Sequence, residues 1–162
     1  MSIQTTNSLP LPSPADCEIV LTRTFDAPRE LVFQAWTAPG QIEQWWGPAG
    51  FRNETLAMEV RPGGTWRYVM HGPDGTAYDN RTVYREVVVP ERLVYWHGWD
   101  VDDDPLAFVV TVTFAAVGNQ TQLTMRMCFA TAEQREDTIA FGAVESGEQT
   151  LTKLAQYLAT LT

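Results

Sequence analysis

Val110-Thr111-Val112-Thr113-Phe114 and, beyond a Gly118-Asn119 turn, Leu123-Thr124-Met125-Arg126-Met127-Cys128-Phe129 are the two segments whose reading decides the fold. In each, large apolar residues alternate with small or polar ones. Period two marks a β-strand with one buried face and one wet face. Two such strands across a short turn are antiparallel neighbours.

Upstream the same period repeats. Strands are expected at Phe51–Val60, Thr65–His71, Tyr78–Val88, Leu93–Trp99, Leu106–Phe114 and Gln122–Phe129. Turn chemistry separates them: Pro62-Gly63-Gly64, Gly72-Pro73-Asp74-Gly75 and Val89-Pro90-Glu91, with an acidic loop from Asp100 to Pro105. Such short connections predict a six-strand antiparallel meander. Cys17–Phe25, rich in β-branched residues, adds a strand before it. Asp26 followed by Pro28 predicts a helix start, and Leu31/Ala35 and Val32/Trp36 give that helix an apolar stripe. Pro39 ends it and opens a second short helix through Trp46, which Gly47-Pro48 stops.

Downstream, Thr131 with Gln134 has the spacing of a capping box. Leu151, Leu154, Ala155, Leu158 and Leu161 follow at helical spacing. One helix of about 30 residues, about 45 Å long, is expected to cross the sheet. In its front half the residues expected toward the sheet include the small Ala140, Gly142, Ala143, Ser146 and Gly147. Glycine inside a helix costs about 1 kcal/mol against alanine, so this choice needs a reason. The sheet opposite offers Trp66, Tyr68, Tyr84, Tyr95, Trp96, Trp99 and Phe108. Either these rings pack on the glycines, or a cavity lies between them.

The composition fits one α+β domain. The 162 residues suit a single core, 44% are hydrophobic and only 19% are charged. Met1–Asp16, with Pro10, Pro12 and Pro14, is expected to be a disordered or extended tail before a domain from 17 to 162. Net charge is −9, which argues against nucleic acid and against anionic membranes as partners. No apolar run is long enough to span a bilayer and no signal peptide is visible, so the expected location is cytoplasmic. Cys17 and Cys128 lack metal-site spacing and are expected to be free thiols. A monomer or homodimer is expected.

Several motifs together carry a resemblance. Phe25-Asp26-Ala27-Pro28, Ala35-Trp36-Thr37, Trp45-Trp46-Gly47-Pro48 with Phe51, Arg61-Pro62-Gly63-Gly64-Thr65-Trp66, Gly72-Pro73-Asp74-Gly75, Pro90-Glu91-Arg92-Leu93-Val94 and Gln149-Thr150-Leu151 occur in this order. The chain resembles bacterial homologues of the C-terminal domain of the activator of the heat-shock-protein-90 ATPase, within the START-like, birch-pollen-allergen-like (SRPBCC) superfamily. The resemblance implies a helix-grip fold: a seven-stranded curved antiparallel sheet wrapped on a long C-terminal helix, with two short helices after strand one. It also implies a hydrophobic cavity between sheet and helix. Two departures reshape such a pocket: Thr82 stands where glycine is frequent, and His97 where an aromatic ring is expected.

The expected lining combines the small helix residues and sheet aromatics above, apart from Ala140 and Trp99, with Trp46, Phe51, Glu86 and an inward-pointing His97. Asp79, Arg81 and Glu145 are expected at its border, and His71 on the surface. No spacing for a metal, no nucleophile–base arrangement and no phosphate loop is visible; neither cofactor nor metal is expected. The reading is therefore non-enzymatic binding of a small hydrophobic or aromatic molecule. A stress or chaperone link enters through the family analogy alone. The alternative is an enzyme, cyclase- or hydratase-like, acting on a bound aromatic or polyketide-like substrate through a polar cavity residue such as His97 or Glu86.

Overall fold

The computed structural model describes residues 14–161. The expected tail therefore lies outside the described residues as far as residue 13. Its last residues belong to a single helical turn, α1 (Pro14–Cys17), where proline is tolerated because a first-turn N–H has no intrahelical acceptor. The chain continues into β1 (Glu18–Phe25), α2 (Arg29–Thr37), a 3₁₀ turn (Ile42–Gln44), β2 (Arg52–Met58), β3 (Thr65–His71), β4 (Ala77–Val88), β5 (Arg92–Trp99), β6 (Phe108–Val117) and β7 (Gln120–Cys128). Two helices close it, α3 (Ala132–Ala140) and α4 (Ala143–Ala159).

The seven strands form one sheet in the order β1-β7-β6-β5-β4-β3-β2. Every pairing is antiparallel. The meander accounts for β2 to β7, and β1 returns to pair with β7. Bulges in β2 (Thr55/Ala57) and β4 (Tyr84/Glu86) add local bend. Register puts Ile19, Met127, Val110, Tyr95 and Tyr84 in one cross-strand row on the concave face. A parallel row runs Phe108, His97, Thr82, Trp66 and Met58. The opposite, outer face carries Thr22, Thr124, Arg126, Thr111, Trp96 and Arg85, as the alternation predicts.

The helices differ from expectation in three places. Pro28, not an acidic side chain, is the last extended residue before α2, and no side chain caps that helix. The second short helix is only the 3₁₀ turn at Ile42–Gln44. The long C-terminal helix is two helices. Thr131 does cap α3, its Oγ1 accepting from the Gln134 N–H at 3.0 Å, but the chain breaks at Phe141-Gly142. Gly142 has φ 95°, a left-handed conformation that a side chain would strain. α4 has 17 residues and is about 25 Å long. Residues 139 to 149 carry no apolar stripe, so nothing in their periodicity opposes the break.

Packing explains the halves of α4. Leu151, Leu154 and Leu158 are buried in the main core with Ile19, Leu21, Met125 and Leu123. One turn earlier a Cβ at Gly147 would run into Cδ1 of Leu21 on β1. Gly147 is thus a close-approach glycine. Cys17 and Cys128 are free; the Cys128 thiol donates to Glu18 Oε2 at 3.1 Å, and burial with that carboxylate raises its pKa to about 11.

If Gly147 is small because of Leu21, Gly147→Ala and Leu21→Ala are energetically coupled. In chemical denaturation, alanine at 147 should be better tolerated by at least about 1 kcal/mol in the Leu21→Ala background than in the native sequence. Additive effects would contradict this packing.

Candidate functional site

The two ends of the concave face are covered differently. At one end the cover is α2, packed on β6 and β7 with Phe33 and Trp36 against Phe114, followed by the segment that carries Trp45 and Trp46 over the rings of β3, and the space is filled. Trp36 and Trp45 meet edge-to-face at 4.8 Å, Trp46 lies 6.2 Å from Trp66, and Trp66 stacks on Tyr68 at 3.7 Å. Polar atoms are paired: Trp45 Nε1 donates to Ala35 O (3.1 Å), Trp46 Nε1 to Tyr68 Oη (3.1 Å) and Trp66 Nε1 to Thr55 Oγ1 (3.0 Å). Only about 10 Å³ of void remains among Trp36, Trp66, Tyr84 and their neighbours. α4 fixes this cover: Lys153 Nζ donates to the carbonyls of Trp46, Pro48 and Phe51 at 3.3–3.5 Å, and Gln149 Oε1 accepts from Ala49 N at 3.1 Å.

At the other end, over Tyr95, Phe108, Val110 and Met127, the cover is the first turns of α4, and there the space stays open. An inner chamber of about 190 Å³ lies between Tyr95, Phe108, Val110, Met125 and Met127 on the sheet and Ala143, Ser146, Gly147 and Thr150 on α4. Trp46, Gly47, Pro48 and Met70 close its far end. An outer chamber of about 520 Å³ lies under α3, lined by Asn80, Trp99, Asp104 and Leu106 on one side and Gln134, Asp137, Thr138 and Phe141 on the other. His97, Phe108, Ala143 and Ser146 line both chambers. The mouth is apolar: Phe141 is 94% exposed, Leu106 59% and Trp99 47%.

α3 roofs the outer chamber through polar contacts, and none of its residues is fully buried. Gln134 Nε2 donates to Leu106 O (3.0 Å) and Arg135 Nε to Glu18 O (2.6 Å). Asp104 shapes the opposite wall, its two oxygens accepting from Trp99 N and Leu106 N at 2.9 Å each.

His97 sits where the chambers meet. Its ring is partly buried, its Nδ1 is enclosed, and that nitrogen has no hydrogen-bond partner. Burial lowers its pKa to about 4, with Asp104 opposing part of the shift. The ring is neutral at pH 7. Its centroid lies 6.2 Å from that of Trp46 and 5.3 Å from that of Phe108.

Of the residues read from sequence, the structure brings Trp46, Tyr95, His97, Phe108, Ala143, Ser146 and Gly147 to the chambers. Others lie elsewhere. Trp66, Tyr68 and Tyr84 belong to the ring-packed end of the core, because the tryptophans after β1 cover them. Gly142 makes the corner between α3 and α4. Phe51 packs against Tyr78 at 6.1 Å. Trp96 points to the outer face, is 41% exposed and lies under the Arg85 guanidinium at 5.6 Å. Glu86 is exposed beyond the β4 bulge and pairs with Arg92 at 3.0 Å. Asp79, Arg81 and Glu145 line neither chamber. His71 pairs with Glu54 at 3.0 Å. Strand parity contained part of this: Trp96 alternates with Tyr95 and His97, so all three cannot face inward. The same parity points to Met70, Val110, Met125 and Met127, which the sequence reading missed. Asp104, Gln134, Asp137 and Phe141 had no such signal, since a loop and the helix break bring them in.

The family model described as activator of Hsp90 ATPase homolog 1-like protein (AHSA1) matches residues 26–159. The chain belongs to this family. Solved structures similar to this AHSA1-like chain include a Nitrosomonas europaea protein (23% identity, 93% of this chain and 99% of that one, TM-score 0.83) and an Arthrobacter aurescens protein (25%, 92% and 90%, 0.84). A Silicibacter pomeroyi protein described as AHSA1 is similar too (24%, 90% and 99%, 0.74). At these identities the structural likeness speaks to the fold. No curated protein matches the chain. No helix among the described residues is long and apolar enough to cross a membrane, and none of the described His, Cys, Asp and Glu side chains gather into a metal-binding group.

The lowered His97 pKa has a consequence for stability. The unfolded chain takes up a proton near pH 6.5, and the folded chain takes it up only near pH 4. Stability from this group is therefore complete above pH 6.5 and falls as pH drops toward 4. Between pH 7 and 4.5 the native protein should lose on the order of 1–3 kcal/mol more than His97→Phe in chemical denaturation. Equal losses would show that His97 is solvated.

Proposed function

We propose that this AHSA1-like chain binds a small hydrophobic or aromatic molecule between the sheet and its C-terminal helices. One observation carries the reading. Large apolar side chains of β5, β6 and β7 face the smallest residues of α4 across about 190 Å³ of open space, which adjoins an outer chamber of about 520 Å³. Unfilled apolar volume destabilises a core by about 24 cal/mol per Å³. The same fold fills its other end with tryptophan, so the open end is a difference built into the sequence. Met125 and Met127 add an unbranched, adaptable wall.

The family description brings in a chaperone ATPase, but the cavity is a feature of this chain's own side chains. Binding is favoured over turnover because a general acid or base needs an orienting partner. His97, the titratable side chain shared by both chambers, has none on its enclosed nitrogen.

The test is a neutral apolar fluorophore, N-phenyl-1-naphthylamine. It should bind one per chain with increased emission. Ala143→Phe, which projects a ring into both chambers, should weaken binding at least about tenfold, or about 1.4 kcal/mol, while leaving the melting temperature equal or higher. Unchanged affinity in that variant would place binding elsewhere. No saturable binding to the native protein would remove the proposal.

A further inference from the structure

The outer chamber has a charge character that the inner one lacks. Asp104, from the β5–β6 connection, and Asp137, from α3, line it from opposite sides. No Lys or Arg among the described residues lines either chamber. Basic groups on neighbouring elements are engaged elsewhere. Arg81 pairs with Asp100 and Asp102 at 2.8 Å each, Arg135 binds the Glu18 carbonyl and Glu136, and Lys153 is held by three backbone carbonyls. Asp104 is preset by two backbone N–H groups. Asp137 is the contrast: its side chain makes no hydrogen bond or ion pair among the described residues, although it is on the chamber wall. Trp99, Phe108 and Phe141 line the same chamber. Aromatic rings attract cations, and the half-buried Asp104 strengthens a carboxylate–ammonium contact more than Asp137, which is exposed.

We propose that the molecule bound in this cavity is an aromatic or aryl-alkyl amine, its ring in the inner chamber and its ammonium group in the outer chamber between Asp104 and Asp137. This rests on the cavity being a ligand site and goes further by naming the head-group charge. The arrangement discriminates against organic acids, because a carboxylate there would meet two like charges and no cation. Net charge of −9 adds to that bias for the whole molecule.

Three isosteric probes separate the head group from the ring: 1-naphthylmethylamine, 1-naphthylmethanol and 1-naphthoate, each titrated calorimetrically at pH 7. The amine should bind at least about tenfold more tightly than the alcohol, and the acid at least about tenfold more weakly. Asp137→Asn should reduce the amine's advantage to about threefold or less and leave the alcohol's affinity unchanged; Glu133→Gln, on the same exposed helix, should change neither. Raising salt should weaken the amine alone. Alcohol binding with no amine preference, or an acid that binds as well as the alcohol, would overturn the head-group assignment while leaving the cavity reading intact. Failure of all three probes would overturn both.

Discussion

The contact on which the rest depends is the leucine row of α4, Leu151, Leu154 and Leu158, set into the concave face beside β1. It fixes the height of the helix above the sheet. With that height fixed, what the first turns of α4 enclose depends on side-chain size alone. Gly147 lets the helix pass Leu21 at close range. Ala143 and Ser146, on the same side, are too short to reach β5 and β6. A helix that followed its own stripe with leucine at those positions would close the gap by about one large side chain per turn.

The other end of the half-pipe meets the same geometric problem with the opposite solution. The segment from α2 to β2 inserts Trp36, Trp45 and Trp46, and the indole N–H groups of Trp45 and Trp46 find partners inside the protein. That end is dense and leaves almost no void. The contrast between a tryptophan-filled end and an alanine-and-serine end makes the open chambers a directed feature of this chain. Trp46 belongs to both regions: it packs on Trp66 and also closes the inner chamber.

Much of the fold was legible because it follows from period two. Val110 to Phe129 alone specified an antiparallel pair with one wet face, and the turn residues set the remaining strands. The site was legible only in outline. The run of small residues in the C-terminal segment pointed to open space, and it is there. Aromatic content alone does not mark its opposing wall: strand parity puts Trp96 on the outer face, and Trp66, Tyr68 and Tyr84 face the tryptophans between α2 and β2. Of the outer chamber, His97, Phe108, Ala143 and Ser146 were legible, but its far wall on α3 was not. It exists because Gly142 takes a left-handed conformation and turns α3 away from the axis of α4, and a glycine within a helical segment does not announce its φ.

The central claim is that the space between the first turn of α4 and strands β5 to β7 receives a small molecule. Methyl-detected NMR of protein labelled at methionine and alanine, titrated with N-phenyl-1-naphthylamine, tests it most directly. The account predicts intermolecular contacts from the probe to the methyl groups of Met125, Met127 and Ala143, with Ala115 and Ala116 on the distal end of β6 unaffected. Contacts confined to residues outside the two chambers, or none at saturating probe, would contradict it.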